Sequence, residues 1–289
     1  MESIQKIKAF LNLDNSKVEI GDLVQNQNKI YFKYHSDFIE RGLEVSPFKM
    51  KLSPEVQTPK ELHFDGLFGV FSDSIPDGWG KLLLDRKLLS AGINLNDISP
   101  LDRLSFLDHN SIGAITYEPE HEDKNNTLNA IDLDQISNEI ETVLSGTTED
   151  VIEELFQLGG SSGGARPKIL IGFNSKTEEL LYGKSNLPNG FEHWIIKFPA
   201  SNDLQDIALI EYAYNKMAQN AGIEVNEFRL FKSKKGNYFF GSKRFDRIQN
   251  EKIHLHSAAG LLHDNFRMST MDYGHLINYT FKIEKNFNA

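Results

Sequence analysis

Residues 159–168 read "GGSSGGARPK", four glycines and two serines ahead of an Arg-Pro-Lys that leads into the apolar run "ILIGF". So much glycine at the mouth of a strand is costly in backbone entropy, so the loop calls for a use. Loops of this kind present bare N–H groups to anions, phosphates above all. A Walker A loop requires G-x-x-x-x-G-K-[ST]. Gly159 and Gly164 have that spacing, but Ala165 stands in the lysine position. A Rossmann fingerprint opens a helix, whereas Pro167 and the β-rich "KILIGF" follow here. Both readings fail.

A third use remains: a glycine loop that leads into an antiparallel hairpin and covers nucleotide phosphates, as in protein kinases. That chemistry needs a lysine on a later strand for the α- and β-phosphates, and a helical glutamate to hold it. "HWIIKF" offers Lys197 between Ile196 and Phe198, where a charge is costly to bury unless paired. The next helix, predicted over 204–221, carries Ile207, Ile210, Tyr214, Met217 and Ala221 as one stripe at helical spacing. Glu211 falls beside that stripe and can face the sheet. The alternative is a surface glutamate and a strand-end lysine that never meet; order and spacing favour the pair. The edge strand "YFFGSKRFDR" would then carry the hinge that contacts adenine, with a plain strand as the alternative.

These residues need a scaffold, and 289 residues suffice for two packed domains. The chain has 39% hydrophobic and 25% charged residues, ordinary for a globular protein. No apolar run approaches a membrane span, and "MESIQKIKAF" lacks the apolar stretch of a signal peptide. The absence of cysteine excludes disulfides, thiol nucleophiles and thiolate metal sites. A cytoplasmic protein is expected. The net charge of −10 argues against direct grip on nucleic acid but suits a basic protein partner.

Along the first 117 residues, "SKVEIGDLVQ" and "KIYFKYH" alternate around "NQN" and predict a β-hairpin. "GLEVSPFKMKL" is predicted as a further strand with an edge or bend at Pro47. Turn residues over 75–80 precede a helix over 79–90, "DISPLDRLSFL" predicts a short helix, and "GAITYEP" a closing strand. From Glu118 to Glu154 there are twelve acidic residues against one basic, Lys124. This reads as a solvated acidic connection, with a helix in "DLDQISNEIETVLSG" capped by Asp132 and stopped at Gly146. A helix over 148–158 precedes the glycine loop. The strands "PKILIGF", "ELLYGK", "HWIIKF", "FRLFKS" and "YFFGSKRF" follow, with the helix over 204–221 between the third and fourth.

"SSGGARPK", "HWIIKFP", "IEYAYNKMAQNAGI" and "KRFDR", in this order, resemble the HipA family of bacterial serine/threonine kinases. "FSDSIPDGWGKLLLDR" and "SIGAITYEP" extend the likeness to the first region, so that it spans nearly the whole chain. The resemblance implies an α+β fold: a small β-rich N-terminal subdomain (1–117), an acidic linker and helix (118–147), a protein-kinase-like N-lobe with glycine loop and hinge (148–247), and the start of a helical C-lobe (248–289). It implies ATP binding by Gly163, Gly164, Ala165, Lys197 and Glu211, with Lys243 and Phe245 at hinge positions. It also implies autophosphorylation at Ser161, with Ser162 a close second. A phosphoserine there would repel ATP phosphates and drive the loop outward, which predicts a mobile loop in the unliganded chain. Family members act as toxins restrained by a helix-turn-helix, HipB-like antitoxin that binds DNA, and the best-known targets are aminoacyl-tRNA synthetases.

The family's Asp-x-x-His-x-x-Asn-type catalytic loop and later magnesium aspartate belong beyond the segment resembling "HLHSAAGLLHDNF". The expectation is that this chain lacks them, binds Mg2+ only in a form with a complete C-lobe, and is inactive alone. His263, Asp264 and Asn265 are no substitute: a kinase sets its magnesium Asn about five residues past the base, and that position is Ser269. His254 and His256 are read as polar strand histidines, since no carboxylate stands at metal-ligand spacing. The alternative function is a non-enzymatic module that binds nucleotide or antitoxin.

Overall fold

The computed structural model describes residues 3–13, 16–27, 29–107, 111–120, 128–146, 152–159, 163–183, 186–268 and 270–284. Strands Lys6–Leu13 (β1), Ser16–Asn26 (β2) and Lys29–Tyr34 (β3) form an antiparallel meander. The predicted hairpin is β2–β3; β1 was not anticipated, although Ile7, Ala9 and Leu11 alternate inward along it. The β1–β2 register shifts between Ala9 and Phe10. This bulge lets Ile20 and Leu23 both face the core, breaking strict alternation. Gly21 is required beside it, because a Cβ there would lie 2.1 Å from the Lys33 carbonyl oxygen.

Ser36–Glu40 (α1), Gly69–Ser72 (α2), Gly78–Ser90 (α3) and Pro100–Ser105 (α4) follow, and Ile115–Glu118 (β4) closes the sheet in the order β3-β2-β1-β4. The strand predicted over 42–52 does not form. Ser46 instead opens a turn, with Lys49 and Met50 donating to its carbonyl at 3.3 and 3.0 Å. Pro47 presets the φ such a turn needs and offers no ladder donor. Val45 and Met50 enter the core from this turn.

The second unit begins within the acidic region. Asn129–Ala130 (β5) joins its sheet, and Leu133–Ser145 (α5) is capped by Asp132 and ends on Gly146 in the left-handed region. The helix is not a solvated connection: Leu133, Ile136, Ile140 and Val143 are buried against Ile152–Gly159 (α6) and the sheet. Lys168–Phe173 (β6), Leu180–Tyr182 (β7) and Glu192–Lys197 (β8) lead to helix Ile207–Asn220 (α7), then Phe228–Lys232 (β9) and Tyr238–Lys243 (β10). The order is β5-β7-β6-β8-β10-β9. β10 is therefore an interior strand rather than an edge, because β9 pairs along its outer side.

α7 also departs from expectation. Tyr214 and Met217 of the predicted apolar stripe are 67% and 62% exposed. The helix instead turns Ala208, Glu211 and Tyr212 inward, and the Tyr212 ring meets Phe228 at 5.3 Å. Trp79 and Leu83 of α3 belong to the second core, with Ile169, Ile171, Trp194 and Ile196. The hairpin Arg247–Ile248 (β11) with Glu251–Lys252 (β12), then Ala258–Leu262 (α8) and Tyr273–Ile283 (α9), complete the chain. The mixed α/β architecture with antiparallel sheets agrees with the expected class.

Candidate nucleotide site

The glycine loop is held by the start of α3. Asp77, the N-cap residue of α3, accepts the Gly164 N–H on its carboxylate, and the Trp79 N–H donates to the Gly164 carbonyl at 3.1 Å. Between them Gly78 has φ +44°, and a Cβ there would come within 2.5 Å of the Ala165 Cα. Only glycine lets the two backbones approach so closely. Arg166 grips Asp203 through two nitrogens at 2.7–3.2 Å. Ala165 is exposed at the mouth of β6. Ser161 and Ser162, and with them the expected mobility of the loop, lie outside the described residues. The Asp77–Gly78–Trp79 anchor was not anticipated; its sequence signal is the glycine between Asp and Trp where the helix begins.

Lys197 and Glu211 do meet. Ile196 and Phe198 are buried, and the Lys197 ammonium is bonded to the Glu211 carboxylate on α7. Lys197 Nζ also lies 5.4 Å from the centre of the Phe240 ring. Directly across the β6–β8 ladder stands Lys168, which the sequence reading set beside Arg166 as a partner for a phosphoserine and not among the ATP-binding residues. It is buried, and its Nζ donates to the Gly163 carbonyl at 2.6 Å. Burial, with the Lys197 charge adding to it, pushes the Lys168 ammonium down to about 8 against the pull of Asp77 and Glu211. Two ammonium groups beside a glycine loop suit a polyanion, which would relieve their mutual repulsion.

At the end of β10, Lys243 is paired with Glu192 and lies 3.7 Å from Glu227; the Glu192 bond raises its pKa. Phe245 is 61% exposed, flanked by the buried Arg244 and Asp246. His193 of β8, whose carbonyl takes the Arg244 N–H, is pushed down to about 4 by burial and then by Arg244 and Arg247.

His254 and His256 stand in an irregular segment, not on a strand. His254 Nε2 is 3.0 Å from the Val45 carbonyl. His256 bridges Asp73 at 2.7 Å and Ser46 Oγ at 3.0 Å. His263 is buried, and its Nε2 accepts the Gly69 N–H at 2.9 Å. Asp264 accepts from Thr270 at 2.9 Å. One run does have the letters Asp-x-x-His-x-x-Asn: Asp272, His275 and Asn278. There Asp272 and His275 form the capping box of α9, each side chain bonded to the other's N–H. These groups serve the helix end. Among the described residues, no group of three His, Cys, Asp or Glu side chains is arranged to hold a metal ion, and no helix is long and apolar enough to cross a membrane.

Residues 11–118 match the HipA N-terminal domain, and residues 160–288 match the HipA-like C-terminal domain. No curated protein matches the chain.

Proposed function

The chain belongs to the HipA family, and from that premise we propose that it forms the nucleotide-binding part of a serine/threonine protein kinase, the toxin of a toxin–antitoxin pair. The observation that carries this reading is the Lys197–Glu211 ion pair one strand away from the anchored glycine loop. In protein kinases a lysine–glutamate ion pair of this kind must be in place for the lysine to serve the phosphates. On this reading the N–H groups of Gly163, Gly164 and Ala165 face the phosphates, Lys197 and Lys168 offset their charge, and the backbone near Lys243 and Phe245 receives the adenine. Transfer moves the γ-phosphoryl group to a protein serine or threonine hydroxyl, whose proton must pass to a base. The carboxylate bonded to Lys197, that of Glu211, is engaged with the lysine and does not serve as that base. The 289-residue chain alone is therefore proposed to bind ATP without transferring phosphate.

Titration of the chain with ATP in a calorimeter tests the reading. Binding that Lys197→Met abolishes is the expected result; a wild-type chain that leaves ATP free overturns it. Robust phosphorylation of any protein by this chain would refute its inactivity. In a catalytically complete form, Ser161 is proposed as the modified residue, with Ser161→Asp losing ATP affinity that Ser161→Ala keeps. The partner is proposed to be a helix-turn-helix antitoxin, through which contact with DNA is indirect, and an aminoacyl-tRNA synthetase is the protein substrate the family suggests.

A further inference from the structure

Phe245 is exposed, yet the charged residues around it are among the most deeply buried in the chain. The side chains of Arg244, Asp246 and Arg247 are 1%, 6% and 3% exposed. Asp246 takes Arg244 through Nε at 2.8 Å and Nη2 at 2.7 Å, and Arg247 Nη1 at 2.8 Å. The same carboxylate accepts the Gly113 N–H at 2.9 Å. Arg247 then reaches the first unit, donating to the carbonyls of Ser111 at 2.6 Å and Gly113 at 3.2 Å. Arg244 Nη2 is 3.3 Å from the Ser111 carbonyl, and its N–H donates to the His193 carbonyl at 2.8 Å. Burial pushes the Asp246 carboxyl up, but Arg244 and Arg247 outweigh it and hold the group at about 2.

Among the described residues, two guanidinium groups here share one buried carboxylate. Buried ions of this kind are weak contributors to stability, and well-packed apolar residues often serve as well. What a guanidinium fork supplies is direction, since planar donors fix both partners in register. Here the fork fixes residues 244–247 against residues 111–113, and Phe245 rides on that fixed stretch.

We infer that Arg244, Asp246 and Arg247 form a positioning clasp for the nucleotide site, through which the loop at Ser111–Gly113 of the first unit sets nucleotide affinity without touching nucleotide. This rests on the reading of Lys243 and Phe245 as the adenine-side residues. Arg247→Lys keeps the charge and loses the fork that spans the two carbonyls. ATP affinity of the full chain, measured by calorimetry, is expected to fall at least about fivefold in Arg247→Lys, a change of roughly 1 kcal/mol. Deuterium uptake at 244–247 is expected to rise. Leu11→Ala, a core truncation in β1, lowers thermal stability and should leave affinity within about twofold of wild type, the scatter expected of distant independent sites. Wild-type affinity in Arg247→Lys, or equal losses in both variants, would overturn the clasp. Should Arg247→Lys not fold, the wild-type chain supplies the test: coupling is reciprocal, so ATP must slow exchange of the Gly113 amide, and unchanged exchange overturns the inference. A wild-type chain that binds no ATP removes the nucleotide-site reading and the clasp together.

Discussion

Lys168 of β6 and Lys197 of β8 face each other across the sheet, and they are held differently: Lys197 by the Glu211 carboxylate, Lys168 by the Gly163 carbonyl. Like charges directly opposite each other are destabilising. Burial, with the facing Lys197 charge adding to it, makes the folded chain release the Lys168 proton at about pH 8, well before an unfolded lysine near 10.5 does. Over that window the unfolded chain binds more protons, so this group makes stability rise with pH. Unfolding in urea at stepped pH should show the rise between about 8 and 10.5, and Lys168→Met should flatten it. A wild-type profile with no upward component from Lys168 counts against the assignment.

Glu211→Gln keeps the size of the side chain and removes its charge. A hydrogen bond to a charged group contributes about 1.5–3 kcal/mol, so ATP affinity should fall by roughly tenfold or more. The exposed far side of α7 offers the control: Met217→Gln should leave affinity unchanged. Calorimetry of the two variants side by side decides the point.

Asp77 and Gly78, at the start of α3, anchor a glycine loop that lies far from them in the chain. Asp77→Ala should speed hydrogen exchange of the Gly164 amide, whose acceptor is lost, while the first core stays intact. Gly78→Ala should be worse, because it combines a positive φ with a backbone collision. A loss of more than about 1 kcal/mol is expected, measured as a shift in the urea midpoint. An Ala variant as stable as wild type would mean that the close approach does not exist.

Much of this site was legible because its constraints are local. Lys197 stands out as a charge in an apolar strand, and Glu211 lies fourteen residues on, at a helical phase that can reach it. The hairpin of β2 and β3, the caps of α5 and the succession of strands after the glycine loop follow from spacing in the same way. What escaped was set by distant partners. Asp77 and Gly164 are 87 residues apart, and nothing in either neighbourhood announces the other. β10 reads as an edge until β9 is known to pair outside it. Residues 42–52 carry strand-like residues, but Pro47 and the Ser46 carbonyl turn them into a bend whose side chains fill the core one at a time. α7 was misread because Tyr214 and Met217 have the right spacing for a buried stripe, yet the sheet receives the face that carries Glu211.

Acid should loosen the contact between the units. His263 must be neutral at Nε2 to accept the Gly69 N–H, and burial, then Lys49, lowers its pKa, against Glu61. Burial likewise lowers His254, and His193 lies at about 4. These groups refuse protons that the unfolded chain takes up below its ordinary histidine value of 6.5, so stability falls as pH drops from about 6.5. The His193 share should level off below about 4, having reached on the order of 3 kcal/mol. Urea unfolding between pH 7 and about 4 checks the slope, and His193→Gln should reduce it.

Asp73 ends α2, and its carboxylate receives His256 and both the N–H and the hydroxyl of Ser257. These partners are 183 and 184 residues further along the chain. On a ribosome adding about 5–20 residues per second, they emerge on the order of ten to forty seconds after Asp73. The first sheet can close on β4 long before then, with Asp73 still hydrated and the bed for His256 empty. Docking of the 254–263 segment therefore waits at least that long. Until then a nascent chain presents Asp73, Ser46 and the Gly69 amide to whatever meets it first.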